Sequence, residues 1–144
     1  MADLRSEYNS CLYHAGAALA RSLHRLAVAH FHPVGITPTM GFILLTARVA
    51  PGVSITDLGT VHLLDSSTIS RAVDKLAADR YIVRANEAKV VQVFLTPDGE
   101  RKAAEAESAW QKLQLEYRLL LGEGEARWLA EKTAKADEVL RKYR

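Results

Sequence analysis

Residues 55–84 read ITDLGTVHLLDSSTISRAVDKLAADRYIVR. Two short helical stretches, TDLGTVHL and SSTISRAVDKLAADR, follow one another with only a few residues between them. Each is preceded by residues whose side-chain oxygens cap free backbone N–H groups, Ser54 or Thr56 before the first and Asp65 or Ser66 before the second. Gly59 falls where two steeply crossing helices need a small side chain. Leu58, Leu64, Ile69, Val73 and Leu76 recur at helical spacing and are expected to supply a compact core. After Tyr81 the apolar period drops to two. Val91, Val93 and Leu95 alternate with Gln92 and Phe94, and Ile82-Val83 can pair with them, so a small hairpin is expected with Asn86 near its tip. A helix-turn-helix followed directly by a hairpin has the layout of a winged helix.

Outward from this centre, an apolar stripe through Leu12, Ala15, Leu19, Leu23, Leu26 and His30 predicts one long helix from about Asp3 to Ala29. The phrase FHPVGITPT stops it, because Pro33 disfavours helical geometry before it and Gly35 accepts a left-handed cap. Thr37-Pro38 then opens a helix that ends at Pro51-Gly52, and Thr96-Pro97-Asp98 opens another that Gly122 and Gly124 interrupt. A last helix ends in a basic turn, as the helix dipole favours. The expected fold is mainly α with a small β-hairpin wing, in a single domain over residues 1–144. Residues 37–96 form its winged helix-turn-helix lobe, and residues 1–36 and 97–144 form long helices whose apolar faces exceed what one small core can cover. A two-fold dimer built from those termini would bury them.

The composition excludes several classes. Of 144 residues, 49% are apolar and 25% charged, with a net charge of +2, which is the profile of a globular protein and not of a disordered chain. No apolar run approaches the ~20 residues of a bilayer span, and the N-terminus lacks a signal-peptide pattern, so no membrane partner and a cytoplasmic location are expected. Cys11 is alone, which excludes an internal disulfide. There is no Gly-rich phosphate loop, no paired-carboxylate context and no zinc-type spacing of Cys and His. Neither an enzyme, nor a cofactor, nor a metal site is expected.

The residues that can carry function lie on the second helix of the pair. Its N-terminal turns present Ser66, Ser67, Thr68 and Ser70, small hydroxyls that permit close approach to a base edge, then Arg71 and Lys75. An arginine there can grip guanine through two hydrogen bonds in the major groove. Arg84 and Lys89 can extend the cationic side along the wing. From Thr56 to Arg101 six Lys/Arg stand against seven Asp/Glu, a net charge of −1, so affinity for double-stranded DNA must come from placement and not from bulk charge.

Taken in order, GITPTMGFILL, ITDLGTVHLLDSSTISRAVDKLAADRYIVR and VQVFLTPDGERK resemble the multiple antibiotic resistance regulator (MarR) family over nearly the whole chain. The resemblance implies a homodimer that binds a pseudo-palindromic operator, usually as a repressor, and is released by a small-molecule effector or an oxidant. It also exposes departures. The Asp-x-Arg signature of family wings falls on Glu87 and Lys89, in a loop about three residues shorter, and lysine lacks the planar fork of arginine. His62 stands where the family turns an apolar residue inward, and a buried, hydrogen-bonded imidazole is expected there. Members that sense organic hydroperoxides use a cysteine in the first helix, which SCLYHAGAAL resembles, although their tyrosines fall on Ala15 and Pro38. Cys11, Tyr13 and His14 are therefore the candidate sensor residues, with Cys11 and His14 on one helix face.

The expected function is a sequence-specific DNA-binding regulator. The altered wing and the neutral-to-acidic centre keep open a protein-interaction module that has lost DNA reading.

Overall fold

The computed structural model describes residues 2–143. Seven α-helices, a 3-10 turn and three short strands follow in the order α1 (Ala2–Ser6), α2 (Leu12–Phe31), a 3-10 turn (His32–Val34), α3 (Pro38–Val49), β1 (Val53–Ser54), α4 (Ile55–His62), α5 (Ser66–Ala78), β2 (Ile82–Glu87), β3 (Val90–Leu95), α6 (Pro97–Leu121) and α7 (Glu123–Lys142). The chain is mainly α with a small antiparallel sheet, as expected. Among the described residues no single helix is long and apolar enough to cross a membrane.

The expected first helix is broken. The chain turns after Ser6, with Tyr8 and Cys11 donating backbone hydrogen bonds to the carbonyls of Arg5 and Tyr8, and α2 begins only at Leu12. Asn9-Ser10 explains the break, because short polar side chains favour turn geometry over helix interiors. At its other end α2 runs on to Phe31, and Gly35 closes the following turn with φ 79°. The capping reading holds elsewhere. Thr37 Oγ1 accepts from Met40 N at 3.2 Å, Ser54 Oγ from Asp57 N at 2.9 Å, and Thr96 Oγ1 from Gly99 N at 3.0 Å.

Two compact units divide the chain, one ending at Trp110 and the other beginning at Gln111. In the first, Phe31, Ile43, Leu44, Leu58, Ile69, Val73, Leu76 and Val93 are fully buried. Each such side chain contributes about 1.5–3 kcal/mol relative to exposure. Leu64 departs from the expected core: it is 37% exposed, because it lies in the turn between α4 and α5 and not on a helix face. Two glycines set close approaches. A Cβ on Gly59 would meet the Leu64 carbonyl oxygen at 3.0 Å, and one on Gly99 would overlap the Tyr81 carbonyl oxygen at 1.9 Å, so α6 starts directly against the backbone that leads into β2. In the second unit Leu113 and Ala126 are buried, Gly122 takes φ 91° between its helices, and Arg141 and Lys142 pair one turn back with Asp137 and Glu138.

The sheet has the order β1-β3-β2. β2 and β3 pair without a bulge from Ile82↔Leu95 to Glu87↔Val90. The tip is therefore the two-residue turn Ala88-Lys89, both at positive φ (49° and 69°), and Asn86 lies within β2 opposite Val91. A two-residue turn with both φ positive matches the right-handed twist of the strands it joins. β1 was not expected. Two residues are too few to show an alternation, and Val53 and Ser54 become a strand only because Val93 and Gln92 lie beside them.

Candidate DNA-binding surface

Asp65 starts the candidate surface. Its Oδ1 accepts from the Thr68 backbone N–H at 2.6 Å and from Ser67 Oγ at 2.8 Å, which closes the first turn of α5. The backbone N–H of Thr68, then the Ser67 hydroxyl, then the Thr68 side chain hold the carboxyl down from 3.8 to about 2. Ser66 and Ser67 are exposed and Thr68 and Ser70 half-buried. Arg71 is exposed one turn on, with its guanidinium 3.4 Å from Thr68 Oγ1. These residues are brought together at the N-terminal end of a helix anchored from behind by Ile69, Val73 and Leu76.

The remaining expected cations are differently engaged. Lys75 Nζ lies 3.1 Å from Asp79 Oδ1, one turn along α5. Arg84 Nη1, on β2, donates to Asp74 Oδ1 on α5, an ion pair that ties the wing to that helix. Lys89 is exposed at the tip of the wing. Among the described residues Arg71 and Lys89 form no ion pair, while Lys75 and Arg84 do. The carboxylate of Asp74 was not read as a partner, because the match between Arg84 and Asp74 crosses from a strand to a helix.

Beside the turn that leads into α5 lies a cavity of about 330 Å³, lined by Thr39, Phe42, Val61, His62 and Leu64. His62 is hydrogen-bonded, as expected, with Nε2 2.9 Å from Thr46 Oγ1 on α3, but it is half-buried where full burial was expected. Burial pushes its pKa below the ordinary histidine value. Its ring lies 6.2 Å from that of Phe42, which in turn meets Trp110 edge-on at 5.8 Å. His62 was the one signal of this cavity in the sequence. Phe42 and Thr46 look like ordinary helix residues until α3 and α4 are packed together.

The candidate sensor residues lie far along the chain from this surface, at the start of α2. Cys11 is the exposed N-cap position and makes no side-chain cap hydrogen bond, so it precedes the helix face it was expected to share with His14. Tyr13 is 85% exposed, and His14 stacks at 5.3 Å on Tyr8. No cluster of three or more His, Cys, Asp or Glu side chains suited to a metal ion occurs among the described residues.

No family model matches the chain, and no curated protein matches it in sequence. Solved structures do. A MarR mutant from E. coli in complex with operator DNA superposes with a TM-score of 0.78 at 21% identity, covering 90% of this chain and 96% of that one. BpsR from Bordetella bronchiseptica, whose DNA binding is regulated by 6-hydroxynicotinic acid, superposes with a TM-score of 0.73 at 20% identity, over 85% and 93% of the two chains. A MarR transcriptional regulator from Methanosarcina mazei Go1 gives 0.73 at 19% identity, over 92% and 91%. With its capped α5, paired wing and long helices before and after them in the chain, the chain has the winged helix-turn-helix fold of the MarR transcriptional regulators.

Proposed function

We propose that the chain is a cytoplasmic transcriptional regulator that binds double-stranded DNA as a homodimer, as a repressor on a pseudo-palindromic operator, and is released by a small molecule. The observation that carries this reading is the start of α5. Ser66, Ser67 and Arg71 stand exposed on a helix whose first turn is capped by Asp65, with the wing tied to its flank. That arrangement suits insertion of the helix N-terminus into a major groove, where arginine and small hydroxyl side chains read base edges. The operator complex of the E. coli MarR mutant supports DNA as the partner, and the ligand regulation of BpsR supports an effector. Exposed apolar residues on the terminal helices, Leu12 and Leu23 on α2 and Trp128, Leu140 and Tyr143 toward the C-terminus, support a dimer. Two recognition helices would then lie roughly 34 Å apart, one turn of the duplex.

The test is binding to DNA from upstream of the protein's own coding region, measured across salt concentrations. A preferred site, together with log affinity falling linearly with log salt, is the expected result. Binding that is equally weak on all sequences and flat in salt would overturn it in favour of a protein-interaction module.

A further inference from the structure

Lys102 carries a charge into packed surroundings. Its side chain is only 17% exposed, and it stands on the stripe of α6 that Ala106 and Ala109 bury one and two turns on. Nζ donates to the Val34 carbonyl oxygen at 2.9 Å and to Glu105 Oε2 at 2.6 Å, and it lies 5.4 Å from the centroid of the Tyr81 ring. That last distance is within the range of a cation–π contact. The hydrogen bond to Glu105 raises the pKa of the ammonium against the desolvation that lowers it, so the group is charged at pH 7.

Three elements meet at this ammonium. Val34 ends the 3-10 turn that follows α2, and the last carbonyl of a helical turn has no partner within it. Tyr81 leads into β2, directly after Arg80, whose φ of 63° is a left-handed geometry that its surroundings must hold. Thr96 binds this segment to the start of α6, accepting no help from α2: its backbone N–H donates to the Tyr81 carbonyl oxygen at 3.0 Å and its Oγ1 to that of Arg80 at 2.7 Å. Lys102 adds what those contacts leave out, a link from the base of the wing to the end of α2.

We infer that Lys102 is a positioning residue for DNA binding: its ammonium joins the end of α2 to the base of the wing and fixes where the wing stands, without touching the duplex. Two of its three N–H donors are used and a ring lies against it, which leaves little for a phosphate. A neutral side chain of the same length would lose both the donor for Val34 and the cation for Tyr81. The effect on binding rests on the proposed DNA-binding function; the joint between α2 and the wing does not.

The experiment compares the full-length protein with Lys102→Met, which keeps the length of the side chain but not its charge, with Lys102→Arg, which keeps the charge, and with Tyr81→Leu. Hydrogen exchange without DNA reads the joint. In Lys102→Met the amides of Gly35 and Ile36 on one side, and of Tyr81 and Thr96 on the other, should exchange about five- to tenfold faster relative to Val73 in the core of α5, and Lys102→Arg should restore them. Faster exchange on one side alone, or an equal rise at Val73, would overturn the joint.

Binding across a salt series reads the positioning. Lys102→Met should bind the preferred site about tenfold more weakly with an unchanged salt slope, and Lys102→Arg should come within about twofold of wild type. Tyr81→Leu, which leaves Lys102 in place, should show the same loss and the same slope, and serves where Lys102→Met does not fold. The double variant should lose no more than the weaker-binding single one, because both changes break one link. A slope lower by about one unit would make Lys102 a phosphate contact, and additive losses would detach it from the wing. Either result overturns the inference, as does wild-type affinity in Lys102→Met. If the wild type shows no preferred site, the regulator reading falls alone, and the exchange pattern still decides the joint.

Discussion

Arg84 on the wing is held by Asp74 on α5, so it is, with Lys75, one of two among the four cations expected to face DNA that are already paired within their own protein. Both side chains are about half exposed, and such a pair contributes at most about 1 kcal/mol to stability. Its consequence is for binding. Asp74→Ala is expected to leave folding nearly unchanged, to raise affinity for DNA of any sequence several-fold, and to steepen the salt dependence by about one unit as Arg84 takes up a phosphate. Fluorescence anisotropy across a salt series measures both. An unaltered slope would place Arg84 away from the backbone of the duplex.

Arg71 and Lys89 are expected to separate base reading from phosphate contact. Arg71→Ala should weaken binding to the preferred site by about 1–3 kcal/mol and binding to random DNA much less. Lys89→Ala should weaken both alike and flatten the salt slope by about one unit. Equal losses on both DNAs for Arg71→Ala would reduce it to a phosphate contact. A wild-type slope for Lys89→Ala would show that the two-residue wing tip does not reach the duplex.

Asp65 gives the fold an acid-sensitive point at the start of α5. A carboxylate whose folded pKa is depressed, here to about 2 from 3.8, stabilises the native state above its unfolded value, and that contribution is lost as pH falls through the folded one. Asp65→Asn keeps the capping oxygen but removes the charge. The difference in melting temperature between wild type and variant should be constant above about pH 5 and shrink progressively between about pH 4 and pH 2. A difference independent of pH over that window would show that the charge of the cap is immaterial.

Leu140 is 62% exposed on α7, on the apolar face that the proposed dimer would cover. Leu140→Asp places a charge there. Sedimentation velocity at micromolar concentration should show the wild type as a dimer and the variant shifted toward monomer, with DNA affinity falling in step because two half-sites no longer bind together. A wild-type chain that sediments as a monomer would remove the two-fold geometry altogether.

Much of this architecture follows from local chemistry. Thr37-Pro38, Ser54, Asp65 and Thr96-Pro97 cap helices in the structure as their residue types predict, because a cap is satisfied within three residues of its own chain. Ile69, Val73 and Leu76 face inward because a 3.6-residue period permits nothing else once one of them is buried. The exposure of Ser66, Ser67 and Arg71 was legible for the same reason. Where two local signals competed, reading by pattern failed. The apolar stripe through Leu12 and Leu19 outweighed Asn9-Ser10 on paper, yet the turn at those residues ends α1 and leaves Cys11 at a helix start.

Other features exist only through partners distant in the chain. β1 depends on Val93 and Gln92, the Arg84 ion pair on a strand folding back beside α5, and the hydrogen bond of His62 on a threonine sixteen residues earlier. Leu64 has the composition of a core residue but sits in a turn, is 37% exposed and lines a cavity. Capping and periodicity are decided by neighbours three or four residues away and can be read along the sequence. Which partner His62 meets, and whether Arg84 is paired, are decided by packing between elements, and only the folded chain sets them.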